Sequence, residues 1–442
     1  MNKSYYIETY GCQMNVADSE LIAGLLAENG YKKSEDIHQA SAIFVNTCAI
    51  REHAEDKVHS RLGEFHRIKK QNPGVVIGVL GCMVQHLKDD ILANKPYVDI
   101  VLGPDSYRNL PDMLNRSTED KTQIVDTTLS RFEVYDDLFP SRKEGINAWI
   151  SIMRGCDKFC SFCIVPFTRG RERSRSVESI LQEAEQAVKA GFAEITLLGQ
   201  NVNSYSFQDF RFPELLDRVA QVPGLKRIRF TSPHPSDVTE AMLDVMAGHK
   251  NLCNYIHFPL QAGSDKVLRR MNRTYTRDHF LRLVDMIRNK LPGVGISTDI
   301  IVGFPGETDA DFQQTLAVMD QVRFDSAFTF KYSPRPWTKA AQYSDQVPEK
   351  IKQSRLEELI TLQKEHTLYR NQKLVGTYQD ILVEKESKRS AQQWAGRTDS
   401  NKWVIFDKDK ADIKDIVTVR IDEARGVSLH GKIIEKEAIL CD

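Results

Sequence analysis

Several features are missing from this sequence of 442 residues. No apolar run approaches the roughly 18 residues that a membrane span needs, so no membrane passage is expected. The start, MNKSYYIETYGC, lacks the charged-then-apolar pattern of a signal peptide, and a cytoplasmic location is expected. An excess of one charge is missing too: 60 Lys and Arg stand against 61 Asp and Glu, a formal net charge of −1. Global charge therefore does not announce a nucleic-acid partner, which would have to be held by local patches. The most informative absence is a ligand. Cys156, Cys160 and Cys163 in RGCDKFCSFCIVPFTRGRERSR are spaced C-x3-C-x2-C, with no fourth Cys or His close behind to complete a tetrahedral shell.

The residues that are present describe a globular chain, 41% apolar and 27% charged, long enough for two to four domains. The first part alternates strand and helix patterns: Tyr5 to Thr9, Ser41 to Asn46 and Val75 to Leu80 read as strands, Asp18 to Glu28 and Glu55 to Lys70 as helices. Such alternation predicts a parallel sheet. Cys12, Cys48 and Cys82 each follow one of the three strands, the edge at which open α/β sheets place ligands. Six further strand-like runs (AWISIMRG, AEITLLGQN, KRIRFTSPHP, NYIHFPLQAGS, VGISTDIIVGFPGET, SAFTFKYSPRP) alternate with helical stretches such as Val177 to Lys189, Thr239 to Ala247 and Arg277 to Lys290. They predict a full or partial (β/α) barrel with function at the carboxyl ends of its strands. Pro348 opens an amphipathic helix with apolar Ile351, Leu356, Leu359, Ile360 and Leu362. Short strands without helices then predict a small β-barrel. The expected fold class is α/β, with an N-terminal unit at 1–114, a linker at 115–145, a barrel unit with its trailing helix at 146–373 and a β-barrel at 374–440.

Eight cysteines in a cytosolic chain suggest metal binding or catalysis rather than disulfides. Cys253 and Cys441 lack the turn context of the other six and are expected to be inert. Thiolates suit zinc or iron–sulfur clusters. Three of them can hold three irons of a four-iron cubane and leave the fourth open to a small molecule. A structural zinc with a distant fourth ligand such as His234 or His257 is the other reading.

The motif Cys156, Cys160, Phe162, Cys163 in the loop after the first barrel strand resembles the radical S-adenosylmethionine signature. Together with TYGCQMNVADSE, NTCAIREHAEDK, LGQNVNSY, FTSPHP and STDIIVGFPGET, it makes the whole chain resemble the methylthiotransferase family of that superfamily. The resemblance implies two [4Fe-4S] clusters, one on Cys156, Cys160 and Cys163 and an auxiliary one on Cys12, Cys48 and Cys82. It also implies S-adenosylmethionine as methyl donor and radical source, with Phe162, Gln200, Asn201, Gln261 and Ile301 beside it. The implied reaction adds a methylthio group to carbon 2 of N(6)-dimethylallyladenosine next to the tRNA anticodon. The branches acting on threonylcarbamoyladenosine or on a ribosomal-protein aspartate, and a non-catalytic iron–sulfur RNA-binding protein, are the alternatives. Further implied are a C-terminal TRAM barrel, OB-like, that grips the anticodon stem-loop, a reductant such as flavodoxin or ferredoxin, and a monomeric enzyme. RGRERSR (Arg169 to Arg175) is expected to meet phosphates, as are Lys385, Lys388, Arg389, Arg397, Lys402 and Arg425. Phe167 or Phe258 is expected to stack on a base.

Overall fold

The computed structural model describes residues 3–48, 52–120, 122–142, 145–409 and 411–434; the side chains of 52–56 and 120 are outside the description. Six parallel strands form the first sheet, in the order Lys32–Lys33, Ser4–Thr9, Ala42–Thr47, Val76–Gly81, Ile100–Leu102, Ile124–Asp126. Every residue of Ala42–Thr47 and Val76–Gly81 is buried, as parallel strands covered on both faces require. Leu21, Ile22, Leu25 and Leu26 of helix Gln13–Glu28 pack one face with Leu110 and Met113. Val58, Leu62 and Phe65 of helix Glu52–Gln71 pack the other with Val84 and Ile91. Strand order reverses between Ser4–Thr9 and Ala42–Thr47, and open sheets form their ligand crevice at such a switch point. Cys12 and Cys48 follow these two strands.

The stretch expected as a linker is built into the structure. Ile124–Asp126 adds the sixth strand, and Tyr135, only 2% exposed, donates its hydroxyl to Pro104 O at 3.0 Å. Arg142 reaches Glu20 and Glu183 at 2.7 Å each and so ties the first sheet to helix Val177–Lys189 of the barrel unit.

Two three-stranded parallel sheets make up that unit: Asn147–Ser151, Glu194–Leu198 and Arg227–Phe230, then Tyr255–His257, Gly295–Val302 and Ser326–Lys331. One bridge among the described residues, from Ile228 to Leu252 just ahead of Tyr255–His257, links them. Among the described residues no pairing joins the first strand to the sixth, so the array is a partial barrel, open on one side. Apolar residues such as Ile195, Ile228, Ile256, Ile296 and Ile300 sit in one core with the surrounding helices.

Helix Glu349–Gln372 keeps Leu356, Leu359 and Leu362 of its expected apolar stripe on the core but buries many polar groups beside them. Ile351 is 41% exposed, whereas Lys352, Arg355, Gln363, His366, Thr367 and Asn371 are buried beside Leu359. These polar groups find partners, as burial demands: Arg355 with Glu307, Gln363 with Phe324 O, His366 with Asp320. Leu356, Leu359 and Leu362 pack on the barrel core, and hydrogen bonds from the buried polar groups fix the helix beside them.

The C-terminal strands form a closed barrel of five: Tyr378–Ser387, Ser390–Thr398, Trp403–Asp407, Ser428–Ile433 and Ile416–Arg425. WAGRTDSNKWVIF, which reads as one run, is a hairpin of two strands. Its tip docks at the amino ends of the partial-barrel strands. Arg227 donates to Arg397 O and Asp380 O, Arg229 to Asp399 O and Thr398 O, and Lys402 pairs with Asp325. A methyl group on Gly295 would stand 2.4 Å from Ser400 O, so the close approach requires glycine there. The small barrel thus closes the floor of the larger one, opposite the cysteine loops.

Candidate functional site

The first cysteine set gathers at the switch point. Cys12 caps helix Gln13–Glu28, and its Sγ lies 3.2 Å from Asn15 Oδ1. Asn46, at the end of the neighbouring strand, donates to Asn15 O and Ser19 Oγ at 2.9 Å. This buried pair of amides locks the Cys12 loop against the Cys48 loop. A hydrogen bond with Cys48, aided by the positive charge of Arg169, brings the Cys12 thiol down to about 6, close to the thiolate that metal binding needs. Burial pushes Cys82 up to about 11 despite Arg169, whose Nε donates to Cys82 Sγ at 3.0 Å.

The second set lies in the loop after Asn147–Ser151. Gly155 has φ +80°, and a Cβ there would fall 1.9 Å from Arg171 O, so only glycine admits the fold-back of this loop. Gln200 Oε1 accepts from Gly155 N at 2.6 Å. Ser161 holds Met271 O and Arg270 O, at 2.9 and 2.7 Å, and Arg273 Nη1 donates to Cys160 Sγ at 3.2 Å. Burial raises Cys156 to about 11 and Cys163 to about 12.

The two sets meet at one mouth. Cys82 packs on Ile164, the neighbour of Cys163, and Cys12 packs with Met14, Ala17 and the barrel residues Trp149 and Leu198. RGRERSR forms this junction instead of a phosphate-binding surface. Arg169 and Arg154 both grip Asp18, at 2.7 and 2.6 Å, with all three side chains under 5% exposed. Burial works against the Asp18 carboxylate, but the two guanidiniums outweigh it and hold its pKa below the usual range. Arg173 pairs with Asp105 and Arg175 with Glu183, both buried. Only Arg171 is exposed, and it pairs with Asp157.

The remaining expected residues divide. Phe162 is half-buried, edge-on to Phe304 at 6.4 Å. Asn201 is buried and donates to Asp237 at 2.8 Å. Gln261 takes the left-handed φ of +69° and leaves its buried Oε1 without a partner, while Ile301 is half-buried on the same strand as Asp299. His257 has both ring nitrogens engaged, by Ser297 and Asp299, whereas His234 uses Nδ1, which accepts from Ser236 N. Phe258 is fully buried and stacked on Phe280 at 4.6 Å, which removes it as a base-stacking surface. Phe167 is exposed and lies 6.3 Å from the Trp337 ring. Lys402 and Arg397 belong to the floor contact, Arg397 through Glu194 and Glu384. Cys253 is buried, as an inert thiol would be, and Cys441 lies outside the described residues. Sequence reasoning missed Asn15, Asn46 and Arg273; Asn15 follows Cys12 by the three positions of a capping box, while Arg273 gives no local signal.

Among the described residues, no three His, Cys, Asp or Glu side chains converge on one ion. A cubane does not ask for convergence, because each thiolate meets its own iron. Six thiols in two sets, a guanidinium on one thiol of each, and a shared apolar wall fit a pair of clusters.

Three family models match the chain: the Radical SAM superfamily over residues 150–319, Uncharacterized protein family UPF0004 over 4–103, and the TRAM domain over 372–434. The tRNA-2-methylthio-N(6)-dimethylallyladenosine synthase of Porphyromonas gingivalis is 47% identical over 98% of this chain and 95% of its own length. The chain belongs to the tRNA-2-methylthio-N(6)-dimethylallyladenosine synthase family. The member of that synthase family from Carboxydothermus hydrogenoformans is 45% identical, with 98% and 99% covered. In fold, the chain is similar to the radical S-adenosylmethionine methyltransferase TsrM of Kitasatospora setae, solved with cobalamin and a [4Fe-4S] cluster, with a TM-score of 0.61, 13% identity and 77% of each chain covered. The cobalamin-dependent enzyme OxsB gives 0.53 at 11% identity over 82% of this chain and 56% of its own. The open parallel barrel coincides with the Radical SAM match and the closed C-terminal barrel with the TRAM match.

Proposed function

We propose that this chain adds a methylthio group to carbon 2 of N(6)-dimethylallyladenosine beside the anticodon of tRNA. The observation that carries the reading is the meeting of two three-thiol sets at one mouth, through Cys82 against Ile164 and Cys12 against Trp149 and Leu198. Cys156, Cys160 and Cys163 would hold one [4Fe-4S] cluster and Cys12, Cys48 and Cys82 the other, each with an iron free of protein ligands. With S-adenosylmethionine these groups supply a carbon radical and transferable sulfur, which an unactivated C–H bond requires and side chains cannot provide.

The residues of the chain prepare the place. Asn15, Asn46 and Gln200 fix the cysteine loops, and Arg169 and Arg273 donate to thiols that would otherwise be buried without a counter-charge. Trp149, Leu198 and Met14 form a dry wall that keeps water from a reactive centre. Across the opening, Phe328 and Phe330 are 56% and 49% exposed beside His257 and Asp299. This apolar patch, with the His257 and Asp299 pair beside it, suits a base carrying a dimethylallyl group. The names of the relatives and the TRAM match support tRNA as substrate. The units 1–114, 146–373 and 374–440 would work as one monomer in the cytoplasm, with electrons from a flavodoxin or ferredoxin.

The test is anaerobic incubation of reconstituted enzyme with isopentenylated tRNA, followed by mass spectrometry of the nucleosides. A product heavier by a methylthio group is expected, with roughly eight irons per chain. Its absence would defeat the reading. Cys156→Ala should abolish 5′-deoxyadenosine formation, whereas Cys48→Ala should retain part of it and lose the methylthio product.

A further inference from the structure

Trp337 stands in the loop after Ser326–Lys331, the last strand of the partial barrel, and is 51% exposed. Its backbone has φ +64°, a left-handed conformation that bulky residues adopt only under constraint. The constraint is visible in the loop. Thr338, 1% exposed, donates its hydroxyl to Arg335 O at 2.7 Å, and Ala340 N donates to Ser161 O at 2.8 Å. The Trp337 loop is thereby pinned to the cysteine loop of the second set. The ring touches both units: it lies 6.2 Å from the His86 ring, edge to face, and 6.3 Å from Phe167, itself 39% exposed. His86 follows Cys82 by four residues and Phe167 follows Cys163 by four, while Cys82 itself packs on Ile164. Trp337 therefore sits on the seam where the two thiol sets meet, at the rim of their common mouth. A half-exposed ring on a costly backbone gains little from burial, and strain of this kind collects at binding sites.

We propose that Trp337, with Phe167 beside it, is a stacking platform for the nucleotide next to the reactive adenosine. The inference rests on the proposed function for RNA as the ligand, and adds to it the surface that receives a second base. An adenine whose carbon 2 must reach the mouth has to leave its stack. Its neighbour then loses a stacking partner, and the short backbone between them keeps that neighbour at the rim. An exposed aromatic ring there replaces the lost partner, as such rings do in proteins that bind single-stranded RNA. Charge does not recommend the place: the segments that carry the rings hold Lys88, Arg335 and Lys339 but also Asp89 and Asp90. The contact is therefore ring on ring, indifferent to phosphate and tolerant of which base arrives.

The test uses the full-length, anaerobically reconstituted chain and an anticodon stem-loop RNA bearing isopentenylated adenosine, with 2-aminopurine on its 5′ or its 3′ side. Affinity is read by titration, and stacking by the quenching of 2-aminopurine fluorescence. Trp337→Gly removes the ring and relieves the left-handed backbone. It should melt no lower than the parent, yet bind the RNA about fivefold or more weakly. Trp337→Phe keeps a ring and should retain most of the affinity. At one of the two probe positions the parent should quench on binding and the Gly variant should not. Because no phosphate contact is lost, the dependence of affinity on salt should keep the parent's slope. Unchanged affinity and quenching in the Gly variant would overturn the proposal. So would a Gly variant that melts well below the parent, since the ring would then be a structural staple between the units. A shallower salt slope would overturn it too, by making the contact electrostatic. A parent chain that binds no such RNA and forms no methylthio nucleoside would instead defeat the proposed function, and the platform with it.

Discussion

Asp18 shows how much a single side chain decides here. It is fully buried between Arg154 and Arg169, and removing it leaves two guanidiniums in a dry interior. Breaking a buried ion pair in this way costs about 3–5 kcal/mol, so Asp18→Ala should lower the thermal midpoint by many degrees, measurable by calorimetry on the purified chain. His234 carries a different prediction. Burial first, then the charges of Arg273 and Lys158, hold it down to about 3, well below the 6.5 or so of an unfolded histidine. Between these values the folded chain binds fewer protons than the unfolded one, so stability is full above about pH 6.5 and falls as pH drops toward 3. At pH 5 the loss from this group is up to about 2 kcal/mol. His234→Gln should therefore flatten part of the decline in melting temperature between pH 7 and 5; equal slopes would remove His234 as its source.

Among elements, the loop from Gly155 to Arg175 is the most constrained. It folds back at Gly155, returns to the barrel as Met153–Arg154 pairs with Arg173–Ser174, and carries three buried arginines to three different acids. Gly155→Ala would place a methyl group in Arg171 O at a positive φ. We expect it to displace the turn that carries Cys156, with a larger loss of iron from the second set than from the first. Iron analysis with and without Cys156 replaced separates the two contributions. The helix Glu349–Gln372 makes a related point: Leu356, Leu359 and Leu362 pack on the core as their spacing predicts, whereas the buried polar groups beside them are placed by distant partners that no apolar periodicity foretells.

For the molecule as a whole, the placement of the C-terminal barrel matters most. Its hairpin tip supplies carbonyls to Arg227 and Arg229 and a lysine to Asp325, all at the floor of the larger barrel. Without it these groups, each under 10% exposed, would be stranded. Truncation after Lys373 should therefore destabilise the barrel unit itself, seen as a lower melting temperature and as poor S-adenosylmethionine cleavage even without tRNA. A truncated chain of full thermal stability that lost only tRNA affinity would show the barrel to be an RNA-binding appendage and no more.

The sequence by itself determined the longer strands and helices of the first sheet and of the partial barrel, and the place of six cysteines after strands, because these arise from apolar periodicity and local turn chemistry; the short strands Ile100–Leu102 and Ile124–Asp126 carry too few residues for a period to show. The helices Val177–Lys189 and Arg277–Lys290 were legible to the residue, since an apolar face and a Ser or Thr cap mark their limits. The three-thiol pattern was legible for the same reason: its spacing is local. What RGRERSR does was decided only by tertiary structure. A run of arginines reads identically whether it faces phosphate or is buried against acids, and the acids here, Asp18, Asp105 and Glu183, lie up to 151 positions away in the chain. The same holds for Lys402 and Arg397, whose exposure depends on how separate units dock, and for Phe258, whose burial depends on the packing of the barrel core around Phe280. Charge and aromaticity are properties of a residue, but which surface they occupy is a property of the packed chain.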